Sequence, residues 1–387
     1  MTFDAPDIAD LRRRTSMKWS KYGPDVLPMW VAEMDFSLAE PIRRVLHELI
    51  DRGDTGYPNG AAHEEAFARF ARRRYGWRVD PSLASTVPDV MTGVEFALHM
   101  LTEPGEAVAF LVPAYPPFFV AVESTRRAVV EVPLAGDAER GWTLDGDALA
   151  RALRDGARAI LLCNPHNPTG RRLTRAELGT VAALADHHGV PVISDEIHAP
   201  LILDREAGEH IPFPTLDGAA ARCVCLHSAS KGWNLPGLKA ALLVAGAAVR
   251  ARLDARVLEE LSERAGIAGV AAGAAAFDEA ETWLEAAVAH IAANHRIVRE
   301  RLPGALPGAR VTRAEATYLA WLDLRDVGVK GEPADVLLER AGVALVAGPN
   351  FGKRYRGFAR MNVGTSRRIV QQAIDRIGAA RQGRLDR

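Results

Sequence analysis

From about residue 86 onward the hydrophobic positions fall into short unbroken runs separated by longer, periodic stretches. The runs are Ala107 to Val112, Ala128 to Leu134, Ala157 to Cys163, Val190 to Ser194, Arg222 to His227 and Ala240 to Ala245. Strands apolar on both faces and alternating with helical segments predict βαβ units and a largely parallel sheet covered on both sides. One connecting helix is well marked. Thr174-Arg175-Ala176-Glu177 has the form of a capping box, and Leu178, Val181, Ala182 and Ala185 follow at helical spacing. Upstream, helices are expected from about Pro41 to Arg52, with proline in the tolerated first turn, and from Ala61 to Tyr75. The turn Thr55 to Gly60 between them presents Tyr57. After Val249 the chain reads as alanine-rich helix to about Leu302, with a stretch from Ala271 long enough to join two domains. The last third holds strand-like Tyr318 to Asp323, a helix over 333–341, Phe358 to Gly364 and a final helix.

The segment before residue 45 fits neither period. Leu27-Pro28-Met29-Trp30-Val31-Ala32-Glu33-Met34-Asp35-Phe36 is too apolar for a solvated tail and too irregular for a helix. It is expected to pack on the body as an arm.

Composition narrows the function class. The chain has 387 residues, 48% hydrophobic and 25% charged, which is ordinary globular usage and enough for two or three domains. Lys+Arg 48 against Asp+Glu 49 leaves a net charge of −1, so no overall field recruits nucleic acid or an anionic membrane. The clusters Arg12 to Arg14 and Arg72 to Arg74 read as solvated helix faces. Cys163, Cys223 and Cys225 form no disulfide framework and fit a reducing cytoplasm. Met1 to Asp10 has no apolar core of signal-peptide type, and no apolar run reaches the roughly 18 residues of a spanning helix. The pair His187-His188 is adjacent and shares no helix face, so no metal site is expected.

In open α/β sheets, ligands bind beyond the carboxyl ends of the strands. Three polar loops fall there: Asn164 to Gly170, Asp195 to His198, and His227 to Lys239. Lys231 in the last can condense with an aldehyde, while Ser228, Ser230 and Lys239 offer donors and charge to a phosphate. Those are the parts a pyridoxal 5'-phosphate enzyme needs at its covalent anchor. Alone, such a lysine is more often a surface residue.

With these pieces in this order, the chain resembles pyridoxal-phosphate enzymes of fold type I, and within them the MalY/PatB-type cystathionine β-lyases. The resemblance rests on Met-Trp-Val-Ala-x-Met-Asp-Phe in the arm, Gly56-Tyr57, Asn-Pro-x-Asn-Pro-Thr-Gly, Ser194 to His198, Ser-x-Ser-Lys with Asn234, Thr317 to Asp323 and Arg360-Met361-Asn362. It covers nearly the whole length. It implies an α/β large domain with a mostly parallel seven-stranded sheet between helices, and a smaller α+β domain. The expected boundaries are 1–45 for the arm with part of the small domain, 46–285 for the large domain and 286–387 for the small one.

The resemblance also implies roles. Lys231 would anchor the cofactor, yield it to the substrate amine and then move the Cα proton. Asp195 would pair with the ring nitrogen, with His198 nearby; Asn167 would reach the ring's phenolic oxygen and Tyr115 would stack on its face. Thr92, Gly93 and Val94 would open a helix at the phosphate, joined by Ser228, Ser230, Lys239 and a partner subunit's Tyr57, which makes a homodimer the expected unit. Arg360 would grip the substrate carboxylate, with Trp30, Ala32 and Tyr57 around the substrate. The expected reaction is β-elimination on cystathionine or another S-substituted cysteine. The alternatives are an aminotransferase, or a different reaction on a specialised cysteine conjugate. A binding protein on the same scaffold, of another class, is disfavoured by the complete set of polar residues. Lys239 and Glu33 depart from the arginine and aspartate that relatives often carry there.

Overall fold

Seven strands make the main sheet of the computed structural model, which describes residues 5–205 and 208–382. The first four residues of the expected arm and the last five of the expected small domain lie outside that range. The strands are Ala84–Val87 (β1), Ala107–Val112 (β2), Ala128–Pro133 (β3), Ala157–Cys163 (β4), Val192–Asp195 (β5), Cys223–His227 (β6) and Ala241–Ala245 (β7). Their order across the sheet is β1-β7-β6-β5-β4-β2-β3, with β7 antiparallel to both neighbours and every other pair parallel. The reversal has a local cause. The 13 residues between β6 and β7 hold the short Ala229–Gly232 helix and a Pro236–Leu238 turn but no helix long enough to carry the chain back along the sheet, so β7 returns antiparallel beside β6. β1 escaped the sequence reading because Ser85 and Thr86 interrupt its apolar run.

Register sets up the site. Asp195, the last residue of β5, lies opposite Cys163 on β4 and Leu226 on β6. The three loops that leave these strands therefore start side by side. On one flank the Arg175–His188 helix begins with the expected reciprocal cap between Thr174 and Glu177.

The long alanine-rich region is several helices rather than one. Asp254 caps Ala255–Glu263, and Gly266 precedes Ile267–Glu279, which is followed directly by Glu281–Ala305. Gly266 and Gly269 lie against the lysine loop so closely that a Cβ on either would sit 2.4 and 2.3 Å from the Leu238 carbonyl oxygen. Only glycine permits that approach. Glu281–Ala305 then packs with Pro333–Ala341 and Arg367–Gln382 around a four-stranded antiparallel sheet ordered Arg310–Val311, Leu319–Asp323, Phe358–Asn362, Val346–Ala347. Arg74 corrects the expectation for its cluster: its side chain is only 2% exposed, ion-paired to Glu285 and Glu281. The Ala61–Tyr75 helix turns that residue inward, where charge needs partners.

The arm is bound to the lysine loop and to the small sheet. Leu27–Pro28 pairs with Val343–Ala344, and Met29, Ala32, Met34 and Phe36 are buried. Beyond that short strand its backbone groups are satisfied mainly by side chains. Asn234 accepts from the Met34 N–H and donates to the Met34 carbonyl, both at 2.7 Å. Asn362 donates to the carbonyls of Val31 and Glu33. Lys18, buried to 1% exposure, sits 2.7 Å from Asp35 and also donates to the Glu33 carbonyl. Removing one partner of a buried pair strands the other charge. Lys18→Met is thus expected to lower the free energy of unfolding by about 3–5 kcal/mol, and Lys18→Met/Asp35→Asn by clearly less. Urea denaturation of both variants checks this; equal losses would contradict it.

Candidate active site

The three strand-end loops and the arm enclose a cavity of about 320 Å³. Asp195, Lys231, Tyr115, Asn167, His198, Ser230, Lys239 and Ala32 all line it, together with Asp89, Val90, Met91, Cys163, Ile197 and Pro236. Eight residues singled out from sequence therefore meet in one space, though they are spread from position 32 to 239.

Lys231 lies in the short Ala229–Gly232 helix just past β6. Its amine donates to the Ala32 carbonyl at 2.8 Å, and the Tyr318 hydroxyl donates to the same oxygen at 3.0 Å. Burial, then the positive charge of Arg360, pulls the amine down to about 8, against the pull of Asp195 and Glu33. The part of Lys231 that remains accessible faces the cavity. Asp195 moves the other way. Burial pushes its carboxyl up to about 7, although the Ile197 N–H donates to it at 3.1 Å and Lys231 favours its charge. A buried acid and a half-buried amine are thus both poised near neutrality on one cavity, a hallmark of a reactive site.

Arg360, on Phe358–Asn362, donates to Asn167 Oδ1 at 3.0 Å and to the Trp30 carbonyl at 3.1 Å, and its guanidinium lies 5.1 Å from the centre of the Phe351 ring. Burial pulls it down to about 10. Its Nε, the Nδ1 of His198 and the indole N–H of Trp30 are buried with no partner among the described residues. Burial, with Lys231 and Arg360 nearby, keeps His198 well below its ordinary value and neutral. Burial also raises Tyr115, at the start of the Pro116–Ser124 helix. Trp30 offers its carbonyl to Arg360, while its ring takes the Lys21 ammonium at 4.2 Å.

The phosphate end needs correction. The Val90–Leu101 helix starts three residues before Gly93, with Asp89 as its cap. The Thr92 N–H is taken by Asp89 at 2.8 Å, Gly93 N–H by the Asp89 carbonyl, and Val94 is fully buried in the core. Gly93 serves packing, since a Cβ there would meet Leu226 Cδ2 at 2.5 Å. Val90 and Met91 line the cavity in place of Thr92, Gly93 and Val94. A helix cap two residues earlier than assumed moves the free amides with it. Ser228 is likewise committed: it caps Ala229–Gly232 and its hydroxyl donates to the Ala240 carbonyl at 2.7 Å, leaving Ser230 on the cavity. Tyr57 is 85% exposed and lies outside this chain's cavity.

The residues present fit pyridoxal phosphate. The lining offers Val90, Met91, Ser230 and Lys239 to a phosphate, Asp195 to a ring nitrogen, and Lys231, Asn167 and Tyr115 to the rest of the ring. Two buried donors, Arg360 Nε and Trp30 Nε1, and the His198 Nδ1 have no partner among the described residues. Residues 25–377 match the family model "aminotransferase class I and II". The chain belongs to that family. A Mycobacterium leprae protein described as a candidate cystathionine β-lyase is 42% identical across 96% of each chain. Cystathionine β-lyase PatB of Bacillus subtilis is 34% identical, covering 94% of this chain and 96% of its own. Among solved structures, a candidate PLP-dependent β-cystathionase of Corynebacterium diphtheriae superposes with a TM-score of 0.91 at 35% identity, over 98% of both chains. No helix among the described residues is long and apolar enough to cross a membrane.

For this member of the aminotransferase class I and II family, sequence reading overlooked several contributors. Cys163 lines the cavity at the end of β4, and burial raises its thiol well above the ordinary range. Glu196, next to Asp195, is buried against His210 at 2.6 Å and the Phe213 N–H at 2.8 Å. Asp89 had a signal, being an N-cap residue type just before a helical run. The electrostatics give a direct test. Arg360 disfavours the Lys231 ammonium, so Arg360→Met should move the amine's titration upward from about 8. Acylation of Lys231 in cofactor-free protein, followed across pH by mass spectrometry, checks this; an unchanged or lower midpoint would contradict it.

Proposed function

We propose that this protein is a pyridoxal-phosphate-dependent carbon–sulfur β-lyase, releasing a thiol, pyruvate and ammonia from cystathionine or another S-substituted L-cysteine. The observation that carries the reading is the seating of Lys231 on the Ala32 carbonyl, within the fields of buried Asp195 and Arg360. Whole-length likeness to proteins named cystathionine β-lyase supports it.

In this reading Lys231, Asp195, Asn167, His198, Tyr115, Ser230, Lys239, Val90 and Met91 hold the cofactor. Bound there, the pyridinium ring supplies the electron sink that accepts the electron pair left at Cα. Asp195 keeps a proton on the ring nitrogen. Arg360 turns from Asn167 and the Trp30 carbonyl to grip the substrate carboxylate through a two-pronged contact that lysine does not offer. Lys231, with a neutral fraction near pH 8, takes the Cα proton, and the Ala32 carbonyl with the Tyr318 hydroxyl holds its amine in place. The thiolate then leaves from Cβ, and hydrolysis of the three-carbon remainder yields pyruvate and ammonia. An aminotransferase reading, which the breadth of the matched family admits, shares these residues except those of the arm and requires a keto acid acceptor.

We further propose a homodimer in which the partner's copy of the exposed Tyr57 turn completes the phosphate site. The large unit would span 46–285, with the arm and 286–387 forming the smaller one. Three free, buried cysteines support a cytoplasmic setting.

Purified enzyme should release pyruvate and thiol from cystathionine without any keto acid, and Lys231→Ala should lose at least about a thousandfold of that rate. No pyruvate from any cysteine S-conjugate, or strict dependence on a keto acid, would reject the lyase. For the dimer, inactive Lys231→Ala and Tyr57→Ala proteins mixed and reassorted should recover about a quarter of wild-type activity, since hybrids carry one intact site. No recovery despite exchange of subunits would reject the shared site.

A further inference from the structure

The end of the cavity that suits a phosphate also contains an acid. Asp89 Oδ1 accepts from the Thr92 N–H at 2.8 Å and the Thr92 hydroxyl at 3.0 Å, while Oδ2 takes the Lys239 ammonium at 2.9 Å. Both side chains are partly open, 37% for Asp89 and 58% for Lys239. Lys239 stands at φ 59°, a left-handed backbone that lysine adopts only at some cost, and the Gly266 N–H fixes its carbonyl at 2.8 Å. A cation is therefore held at this spot against local preference, and an anion of the same chain neutralises it. Val90, Met91 and Ser230 also line the cavity, and the first amides of the Val90–Leu101 helix have no partner within the helix.

We propose that Asp89 weakens the hold on the cofactor's phosphate, sharing Lys239 with it and opposing it by charge, so that the cofactor binds less tightly than an uncharged helix cap would allow. This rests on reading the cavity as a pyridoxal phosphate site. The phosphate dianion entering the cup meets one ammonium already paired and one carboxylate of its own sign. Lys239 has three donors and can serve both anions, but their mutual repulsion persists. In a half-solvated site, that repulsion corresponds to about a tenfold loss of affinity. The helix cap does not require the charge, because asparagine and serine cap equally well.

The test uses the full chain freed of cofactor, titrated with pyridoxal phosphate and separately with pyridoxal, by tryptophan quenching and visible absorbance. Asp89→Asn and Asp89→Ser are expected to lower the Kd for pyridoxal phosphate about tenfold while leaving pyridoxal within about twofold, and the gain should shrink in 1 M salt. If one variant fails to fold, the other carries the measurement. An unchanged or higher Kd for the phosphorylated form would overturn the proposal, as would an equal change for both ligands, which would mark Asp89 as a cap alone. Failure of the wild-type chain to bind pyridoxal phosphate would instead overturn the underlying reading of the cavity.

Discussion

Much of the site depends on where one peptide carbonyl stands. The Ala32 oxygen receives both the Lys231 amine and the Tyr318 hydroxyl, so it fixes the reactive amine relative to the small sheet. Ala32 belongs to a stretch with almost no strand partners of its own, and buried backbone groups must find partners somewhere. Side chains from two directions provide them. Asn234, three residues past Lys231, holds Met34 at both its polar groups. Asn362 and Arg360, two positions apart on one strand, hold Val31, Glu33 and Trp30. The arm is thus the gauge that sets the separation between the lysine loop and Arg360.

Charge explains why this gauge has to be rigid. Arg360 is buried close enough to half-buried Lys231 to disfavour its ammonium, and Asp195 and Glu33 pull the other way. Burying charge without partners is costly. The chain accepts that cost here, and Arg360 Nε, Trp30 Nε1 and His198 Nδ1 are also buried without a partner among the described residues. A ligand bearing a carboxylate and a phosphate supplies the missing negative charge. The site is therefore arranged for its ligands in advance, and the protein elsewhere shows what full pairing looks like: Lys18 with Asp35, and Arg74 with Glu281 and Glu285.

Most of the framework was legible because it follows from periodicity. Six of the seven main strands, the Thr174 capping box and the two helices before residue 76 lie where the apolar pattern places them. What pattern cannot encode is the direction of a single side chain. Arg74 sits in a triple-arginine run, yet helix phase turns it inward. Thr92, Gly93 and Val94 look like a phosphate-binding helix start, but capping by Asp89 shifts the first turn, so that Gly93 meets Leu226 instead. β1 was lost because Ser85 and Thr86 break its apolar run, their hydroxyls being satisfied by Arg250 and His63, residues distant in sequence. The residues around Lys231 were legible for a different reason: resemblance to a known family named them, and the fold then brought eight of them to one cavity.

The strand register links these levels. Asp195 and Glu196 are consecutive, so their side chains leave the strand end in opposite directions. One points into the cavity; the other is buried against His210, the Phe213 N–H and Ser194. Burial opposes the Glu196 charge, yet His210 and His227 hold its carboxyl well below the usual range, so it remains an anion. A fixed anion tied down by partners from two further segments keeps the end of β5 from fraying, and its charge also contributes to the raised value of Asp195. The acid that faces the cavity is thereby positioned and tuned by the acid that does not.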